Sequence, residues 1–189
     1  DTLQSLLIAA AVFLVIYQFL FRPFQVKGDS MYPNFYNDSY VLTNIVGLKL
    51  QNPKLGDVIV FKAPPDPEKA FIKRVIGVPG DNIMIQNGQV FLNNKPLDES
   101  KYLRPTIKTY GGSFLKEGIQ ITVPDNEFFA MGDNRTFSSD SREWGFVKKD
   151  LLIVLKWHWI LQGLVYFVII FLLITYGVKH SEPFIYFQF

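Results

Sequence analysis

The sequence predicts a mainly β domain that is tethered by an N-terminal transmembrane helix and followed by a C-terminal transmembrane helix. Two long apolar segments without a charged residue, 3–21 and 160–176, predict the helices, because crossing a bilayer takes about 20 apolar helical residues. Between them, Asn87-Gly88 separates two alternating apolar runs, which is a strong signal of a β-hairpin. No part of the chain between the apolar segments has a sustained helical period.

The predicted organisation is a transmembrane helix at 1–21, a β domain at 22–158, a second transmembrane helix at 159–177 and a tail at 178–189. A signal peptide is a poor alternative for the first segment, because Arg22-Pro23-Phe24 follows it instead of a small-residue cleavage site. Aromatic residues around the second segment are typical of a membrane interface. Since the sequence starts at Asp1, we expect further residues to precede it.

Short apolar runs bounded by turn residues predict the strands of the central domain. These strands are predicted at 39–43, 57–61, 71–78, 83–86, 89–92, 119–123 and 127–131. The proline-rich residues 63–67 are predicted to form a loop, and residues 93–96 are expected to end the hairpin. The polar, glycine-containing residues 98–117 are predicted to be an irregular excursion, called here the 98–117 loop.

Composition excludes several classes of function. The net charge is +2 and the basic residues are scattered, so the chain lacks the basic stripe of a nucleic-acid-binding protein. Without cysteine there is no disulfide, thiolate metal site or cysteine nucleophile. His158 and His180 flank the second apolar segment, so neither a Ser-His-Asp triad nor a histidine-rich zinc site is expected. No metal or other cofactor is predicted.

A serine activated by a lysine is the hydrolytic chemistry that remains. Ser30 follows Gly28 in a turn, although a turn serine without catalytic function is the more common case. Lys73 shares one face of a predicted strand with Phe71 and Val75, and burial there would lower its pKa from about 10.4. The alternative is that Lys73 is a surface lysine at the edge of the sheet. The sequence of this strand, considered alone, favours that alternative.

A third polar cluster occupies residues 132–142, which read Gly-Asp-Asn-Arg-Thr-Phe-Ser-Ser-Asp-Ser-Arg. Such compositions are usually solvated loops. Two aspartates, two arginines and three serines in this order also suit a fixed network of hydrogen bonds and ion pairs. Such a network would hold a catalytic lysine in place through a hydroxyl.

Four segments, 28–33, 56–61, 72–81 and 132–147, occur in an order that resembles the bacterial type I signal peptidases, also called leader peptidases. The resemblance implies a membrane-bound serine endopeptidase on a β fold that removes N-terminal signal peptides from exported preproteins with a Ser/Lys dyad. It implies Ser30 as the nucleophile, Lys73 as the general base and the Ser30 N–H as an oxyanion donor.

The resemblance also implies supporting and substrate-binding residues. Ser138 would position the lysine through its hydroxyl. The remaining supporting residues would be Asp133, Asp140, Arg142 and Arg74. The residues implied for shallow pockets that accept small substrate side chains are Phe24, Val26, Met31 and Ile72.

By the same resemblance, the partners are the signal peptides of exported preproteins, the lipid bilayer and the secretion translocon. The enzyme would lie in the cell (plasma) membrane with its catalytic domain on the extracytoplasmic side. Charge does not settle this side, because Arg22 and Lys27 after the first segment by themselves favour the cytoplasm.

The chain departs from the family pattern at three positions. Gly28 stands where some members have a serine hydroxyl as a second oxyanion donor, Thr136 where an acidic residue is common, and Asn34 where threonine is usual. One alternative function is a Ser/Lys self-cleaving regulator, but such proteins are soluble and bind DNA. Another is a catalytically silent membrane adaptor with the same β domain.

Overall fold

The computed structural model describes residues 9, 21–44 and 52–152. Apart from residues 9 and 21, the two predicted transmembrane helices lie outside the described residues, as does the predicted tail at 178–189. In the described part of the chain, no helix combines the length and the apolar character that a membrane crossing requires.

The described elements are mostly strands, as the sequence predicts. They are β1 Phe21–Gln25, β2 Tyr40–Asn44, β3 Val58–Ala63, β4 Asp66–Gly77, β5 Asn82–Gln86, β6 Gln89–Leu92, β7 Lys95–Pro96, β8 Gln120–Thr122, β9 Glu127–Met131, α1 Ser141–Trp144, β10 Val147–Lys148 and a 3-10 helix Lys149–Leu151. The prediction of a mainly β fold is therefore confirmed.

The described strands form three antiparallel sheets. β1 pairs with β2, and the two larger sheets have the strand orders β10-β9-β4-β3 and β7-β6-β5-β8. The predicted hairpin is β5 and β6, in which Gln86 is paired with Gln89. Asn87 and Gly88 both have a positive φ, at 54° and 78°, which is the conformation that an Asn-Gly turn adopts readily.

In the described part of the chain, strands β4 and β9 each contribute side chains to two apolar clusters, one on either face of their sheet. On one face, Ile76, Phe129 and Met131 pack with residues of β5 and β6. On the other face, Val75 and Phe128 pack with residues of β3 and β10. The segment around Lys73 is therefore held by packing on both sides, which fixes its position.

The structure corrects three of the predicted boundaries. Asp66 and Pro67 belong to β4 and not to a loop, because this part of β4 pairs only with β3 and Pro67 needs no ladder donor on its other edge. The chain continues after the hairpin into β7, since Asn93 and Asn94 adopt a positive φ and make a second tight turn. The prediction that the first transmembrane helix includes residue 21 is wrong, because Phe21 begins strand β1 and is paired with Asn44 of β2.

Candidate active site

Ser30 and Lys73 lie in contact, although 43 residues separate them in the sequence. Ser30 is in the turn between β1 and β2, and Lys73 is in β4, where it is paired with Ile59. Lys73 Nζ donates to Ser30 Oγ at a distance of 2.7 Å. A lysine and a serine at this distance can exchange a proton directly.

Lys73 is buried, with 3% of its surface exposed, and it is not the surface lysine that its strand alone would favour. Its ammonium group lies 5.1 Å from the centre of the Phe71 ring, the apolar neighbour predicted on the same strand face. The pKa of Lys73 is lowered from 10.5 to about 8, mainly by burial. Arg142 contributes to the lowering, and Asp140 and Asp133 oppose it. The lysine is thus partly neutral near pH 8.

Hydrogen bonds to residues 132–142, called here the catalytic loop, hold the turn that carries Ser30. The Asn134 N–H donates to Ser30 O at 3.0 Å, and Asn134 Nδ2 donates to Asp29 O at 3.0 Å. On the other side of the turn, the Gly28 N–H donates to Asn37 Oδ1 at 2.7 Å. Among the described residues, the Ser30 N–H has no acceptor, so it can donate to an oxyanion.

Gly132 opens the catalytic loop at a point where no side chain fits. A Cβ at this residue would collide with Ser138 Oγ and with Ser30 O. Ser138 therefore lies beside the backbone of the turn that carries Ser30, residues 28–34, called here the nucleophile turn. Within the described residues its buried hydroxyl has no hydrogen-bond partner, so the hydrogen bond that we expected between Ser138 and Lys73 is not present.

Asp133 and Arg74 form a bidentate ion pair next to the dyad. Arg74 Nε and Nη2 donate to the two Asp133 oxygens at 2.8 and 2.7 Å, and Arg74 Nη1 donates to Gly56 O at 2.8 Å. Asn34 Nδ2 donates to Asp133 Oδ2 at 2.8 Å. The asparagine that departs from the family pattern thus joins the nucleophile turn to this ion pair.

Asp140 and Arg142 form the second ion pair of the catalytic loop. Arg142 Nε and Nη2 donate to the two carboxylate oxygens of Asp140 at 2.8 Å each, and the Gly132 N–H donates to Asp140 Oδ2 at 3.0 Å. Asp140 also caps helix α1 by accepting from the Arg142 N–H. The predicted fixed polar network is therefore present, and Asp133, Asp140, Arg142 and Arg74 all belong to it.

The 98–117 loop supplies contacts that the sequence reasoning missed. Arg135 is buried and forms an ion pair with Glu99, and its Nη1 donates to Thr109 Oγ1 at 2.6 Å. Arg142 Nη1 donates to Tyr110 O at 3.2 Å. The loop thus packs on the catalytic loop. No spacing rule predicts such pairs, since their partners lie in irregular segments.

The four residues implied for substrate pockets lie on the two segments that carry the dyad. Val26 and Met31 are buried, and Phe24 and Ile72 are half-buried. Phe24 in β1 is paired with Val41, and Ile72 precedes Lys73 in β4.

In the described ranges, no three His, Asp or Glu side chains are placed to bind a metal ion together. The chemistry available at the dyad is nucleophilic attack by Ser30 Oγ after Lys73 takes its proton. The Ser30 N–H is then available to the developing negative charge.

Comparisons with known proteins match this chain to one family. The sequence model described as "Signal peptidase, peptidase S26" matches residues 1–156. "Signal peptidase IB" of Staphylococcus aureus strain COL is 31% identical over 160 residues, which cover 79% of this chain and 82% of that protein. "Signal peptidase I S" of Bacillus subtilis strain 168 is 36% identical over 143 residues, which cover 74% of this chain and 76% of that protein.

A crystal structure of a signal peptidase I from Enterococcus faecalis V583 is also similar, with a TM-score of 0.45 and 27% identity, and the match covers 56% of this chain and 98% of that one. The family match and the two relatives confirm the resemblance to the type I signal peptidases. The chain therefore belongs to the signal peptidase family, peptidase S26.

Proposed function

We propose that Ser30 and Lys73 form the catalytic dyad of this chain and that the chain is tethered to the membrane. The chain is a serine endopeptidase that removes N-terminal signal peptides from exported preproteins. The observation that carries the proposal is the 2.7 Å contact between Lys73 Nζ and Ser30 Oγ, because the lysine is buried and its pKa is lowered to about 8. Family membership supports the substrate class.

In the proposed reaction, neutral Lys73 takes the Ser30 Oγ proton while Oγ attacks the scissile carbonyl carbon. The Ser30 N–H donates to the resulting oxyanion. Protonated Lys73 then gives its proton to the leaving amine, the C–N bond breaks, and an ester links Oγ to the signal peptide. Neutral Lys73 next takes a proton from water, whose oxygen attacks the ester carbonyl carbon. The bond from that carbon to Ser30 Oγ then breaks, Lys73 returns the proton to Oγ, and the signal peptide is released as an acid.

The ion pairs Arg74–Asp133 and Asp140–Arg142 would hold this dyad and set the charge around Lys73. We propose that Ser138, whose buried hydroxyl has no partner among the described residues, positions the lysine during the reaction. Shallow pockets formed by Phe24, Val26, Met31 and Ile72 would accept the small side chains of the cleavage site.

The proposed location is the cell membrane, with the β domain on the extracytoplasmic side between transmembrane helices at 1–20 and 159–177. The chain from residue 21 to Ser30 reaches at most roughly 30 Å, so the nucleophile stays near the bilayer surface, where a membrane-inserted signal peptide ends. The lipid bilayer and the secretion translocon are the further proposed partners.

The test is processing of a preprotein by the purified full chain with Ser30→Ala or Lys73→Ala. Both substitutions should abolish cleavage while circular dichroism remains that of a folded β protein. Lys62→Ala, at an exposed position of the neighbouring strand β3, is the matched control and should cleave normally.

Activity retained in either dyad variant would contradict the dyad. Failure of the unmodified protein to cut any preprotein would instead favour a silent membrane adaptor.

A further inference from the structure

The 98–117 loop contains a tight turn, Glu99 to Tyr102, that contacts all three segments that build the proposed dyad. The turn is closed by the N–H groups of Tyr102 and Leu103, which both donate to Glu99 O, at 3.1 and 2.8 Å. Leu103 is buried, which anchors the turn to the domain. Neither Glu99 nor Tyr102 belongs to the segments that carry the family resemblance.

The first two contacts of this turn reach the nucleophile turn and strand β4. Asn34, four residues after Ser30, donates from Nδ2 to Tyr102 O at 2.8 Å. The guanidinium carbon of Arg74, the residue after Lys73, lies 4.2 Å from the centre of the Tyr102 ring. The distance between the guanidinium and the ring is that of a cation–π contact, and only 13% of the Arg74 side chain is exposed.

The third contact reaches the catalytic loop. The Tyr102 hydroxyl donates to Glu99 Oε1 at 3.1 Å, and the Glu99 carboxylate pairs with both terminal nitrogens of the buried Arg135. Arg135 Nε donates in turn to Gly132 O at 3.1 Å. Burial and the nearby Glu99 charge raise the pKa of Tyr102, so its hydroxyl remains a donor at every pH at which the enzyme would work.

We infer that Tyr102 is a positioning residue for the proposed Ser30–Lys73 dyad, because it holds the nucleophile turn, β4 and the catalytic loop at their observed separations. Ser30 is on a turn and Lys73 is in a strand, so sheet pairing alone does not fix the distance between them. Reaction rates are sensitive to such distances: a displacement of about 1 Å can cost about 100-fold in rate.

Tyr102 also affects the electrostatics of the lysine through Arg74. Arg74 neutralises Asp133, and Asp133 acts to raise the pKa of Lys73. If the ring is lost, Arg74 is less firmly held against Asp133 and water gains access to this side of the site. Both changes favour protonated Lys73, so the lysine should lose its proton at a higher pH.

The experiment compares Tyr102→Leu, Tyr102→Phe and the unmodified full chain in preprotein cleavage as a function of pH. Tyr102→Leu should lower kcat by about 10- to 100-fold with little change in KM and should shift the rise of activity to higher pH. Tyr102→Phe retains the ring over Arg74 and should recover most of the activity. Tyr40→Leu, at an exposed tyrosine in β2, is the matched control and should behave as the unmodified protein.

A second measurement does not depend on activity. The protein is labelled with an amine-selective reagent at several pH values, and mass spectrometry gives the extent of labelling of each lysine. The Lys73 midpoint is the pH at which labelling of Lys73 reaches half of its maximum. This midpoint should be higher in Tyr102→Leu than in the unmodified protein, and Tyr102→Phe should restore it. If Tyr102→Leu does not fold, Tyr102→Met, which also lacks a ring over Arg74, takes its place: its kcat should fall and its Lys73 midpoint should rise.

The inference rests on the proposed dyad, and the two can fail separately. Activity in Ser30→Ala or Lys73→Ala would overturn the dyad and the inference with it. A folded Tyr102→Leu protein with unchanged kcat and an unchanged Lys73 midpoint would overturn the role of Tyr102 alone. An equal loss of activity in Tyr102→Leu and Tyr102→Phe would also overturn it, because the ring would then have no part in the effect.

Discussion

At the scale of single residues, the proposed active site depends on the free-energy cost of burying one charged lysine. Lys73 lies inside the domain with Ser30 Oγ as its hydrogen-bond partner and the Phe71 ring beside it. The same burial that makes the lysine a usable base at moderate pH disfavours its charged form in the folded protein. Activity and stability should therefore both depend on the protonation of Lys73.

Preprotein cleavage should increase as the pH rises through about 8, the value to which burial lowers the pKa of Lys73. The reason is that only the neutral amine can take the Ser30 proton. Cleavage rates at low preprotein concentration, measured between pH 6 and 10, test this. A rise of activity centred several pH units lower would contradict a lysine base.

Lys73→Met should stabilise the folded protein, and the gain should be larger at pH 7 than at pH 11. Below pH 8 the lysine is charged both folded and unfolded, so the folded state carries the full cost of burial. Between pH 8 and 10.5 the unfolded chain binds more protons and stability rises with pH. The gain should thus shrink by about 3 kcal/mol over this range, at about 1.4 kcal/mol per pKa unit.

Urea denaturation of the unmodified protein and of Lys73→Met at several pH values measures this difference. Lys62→Met, at an exposed position of β3, is the control and should show no comparable dependence on pH. A gain for Lys73→Met that does not vary with pH would mean that Lys73 is not buried in its charged form.

At the scale of elements, the site is built where strand β9 ends and the catalytic loop begins. Phe129 and Met131 at the end of β9 are fully buried. Because their packing fixes the end of the strand, it also fixes the position of Gly132, the next residue. There the Gly132 N–H donates to Asp140, and the Asn134 N–H two residues later donates to Ser30 O. The loop can follow this path because Gly132 has no side chain.

Gly132→Ala should therefore lower both stability and activity. The added methyl group would overlap Ser138 Oγ and Ser30 O, and relieving the overlap would push the nucleophile turn away from the catalytic loop. We expect a loss of about 1–3 kcal/mol in the free energy of unfolding and about 100-fold in cleavage rate. Denaturation and cleavage assays measure the two effects.

The control for this substitution is Ser139→Ala, which removes an exposed hydroxyl from the same loop and should have little effect. Normal cleavage by Gly132→Ala would show that the close approach of the loop to the Ser30 turn is dispensable.

At the scale of the whole molecule, the chain combines a β domain with two apolar segments proposed to lie in the membrane. The described strands belong to one compact unit, Phe21–Val154, with Ser30 shortly after its first strand. A proposed nucleophile that follows the first apolar segment so closely in sequence suits a substrate whose cleavage site lies at the bilayer surface. This arrangement works only if the β domain faces the side on which exported proteins emerge.

A single cysteine can test that orientation, since residues 1–189 contain none. Lys95→Cys, at an exposed position in β7, should react with a membrane-impermeant maleimide added to intact cells or spheroplasts. The unmodified protein should not react, which provides the control. Labelling of Lys95→Cys only after the cells are lysed would place the domain in the cytoplasm and contradict the proposed topology.

The β class and the Asn87-Gly88 hairpin could be predicted from the residues alone, whereas the assignment of Ser30 and Lys73 as a dyad depended on the resemblance to a known family. The fold class and the hairpin were predicted correctly because they depend on local rules, namely turn residues and alternating polarity. Elimination of other activating groups pointed to a lysine but did not say which one. Strand alternation also placed Phe71 and Val75 on the face of Lys73, where the ring of Phe71 lies beside the amine.

Three features are visible only in the folded structure. Lys73 is buried, and Asn34 donates a hydrogen bond to Asp133. The 98–117 loop contacts the catalytic loop through the ion pair of Glu99 and Arg135. These contacts join segments that are far apart in sequence and irregular in conformation, so no periodicity or spacing indicates them. Burial in particular depends on how the whole domain packs. Lys73 of β4 would be exposed to water if the nucleophile turn and the catalytic loop did not cover it.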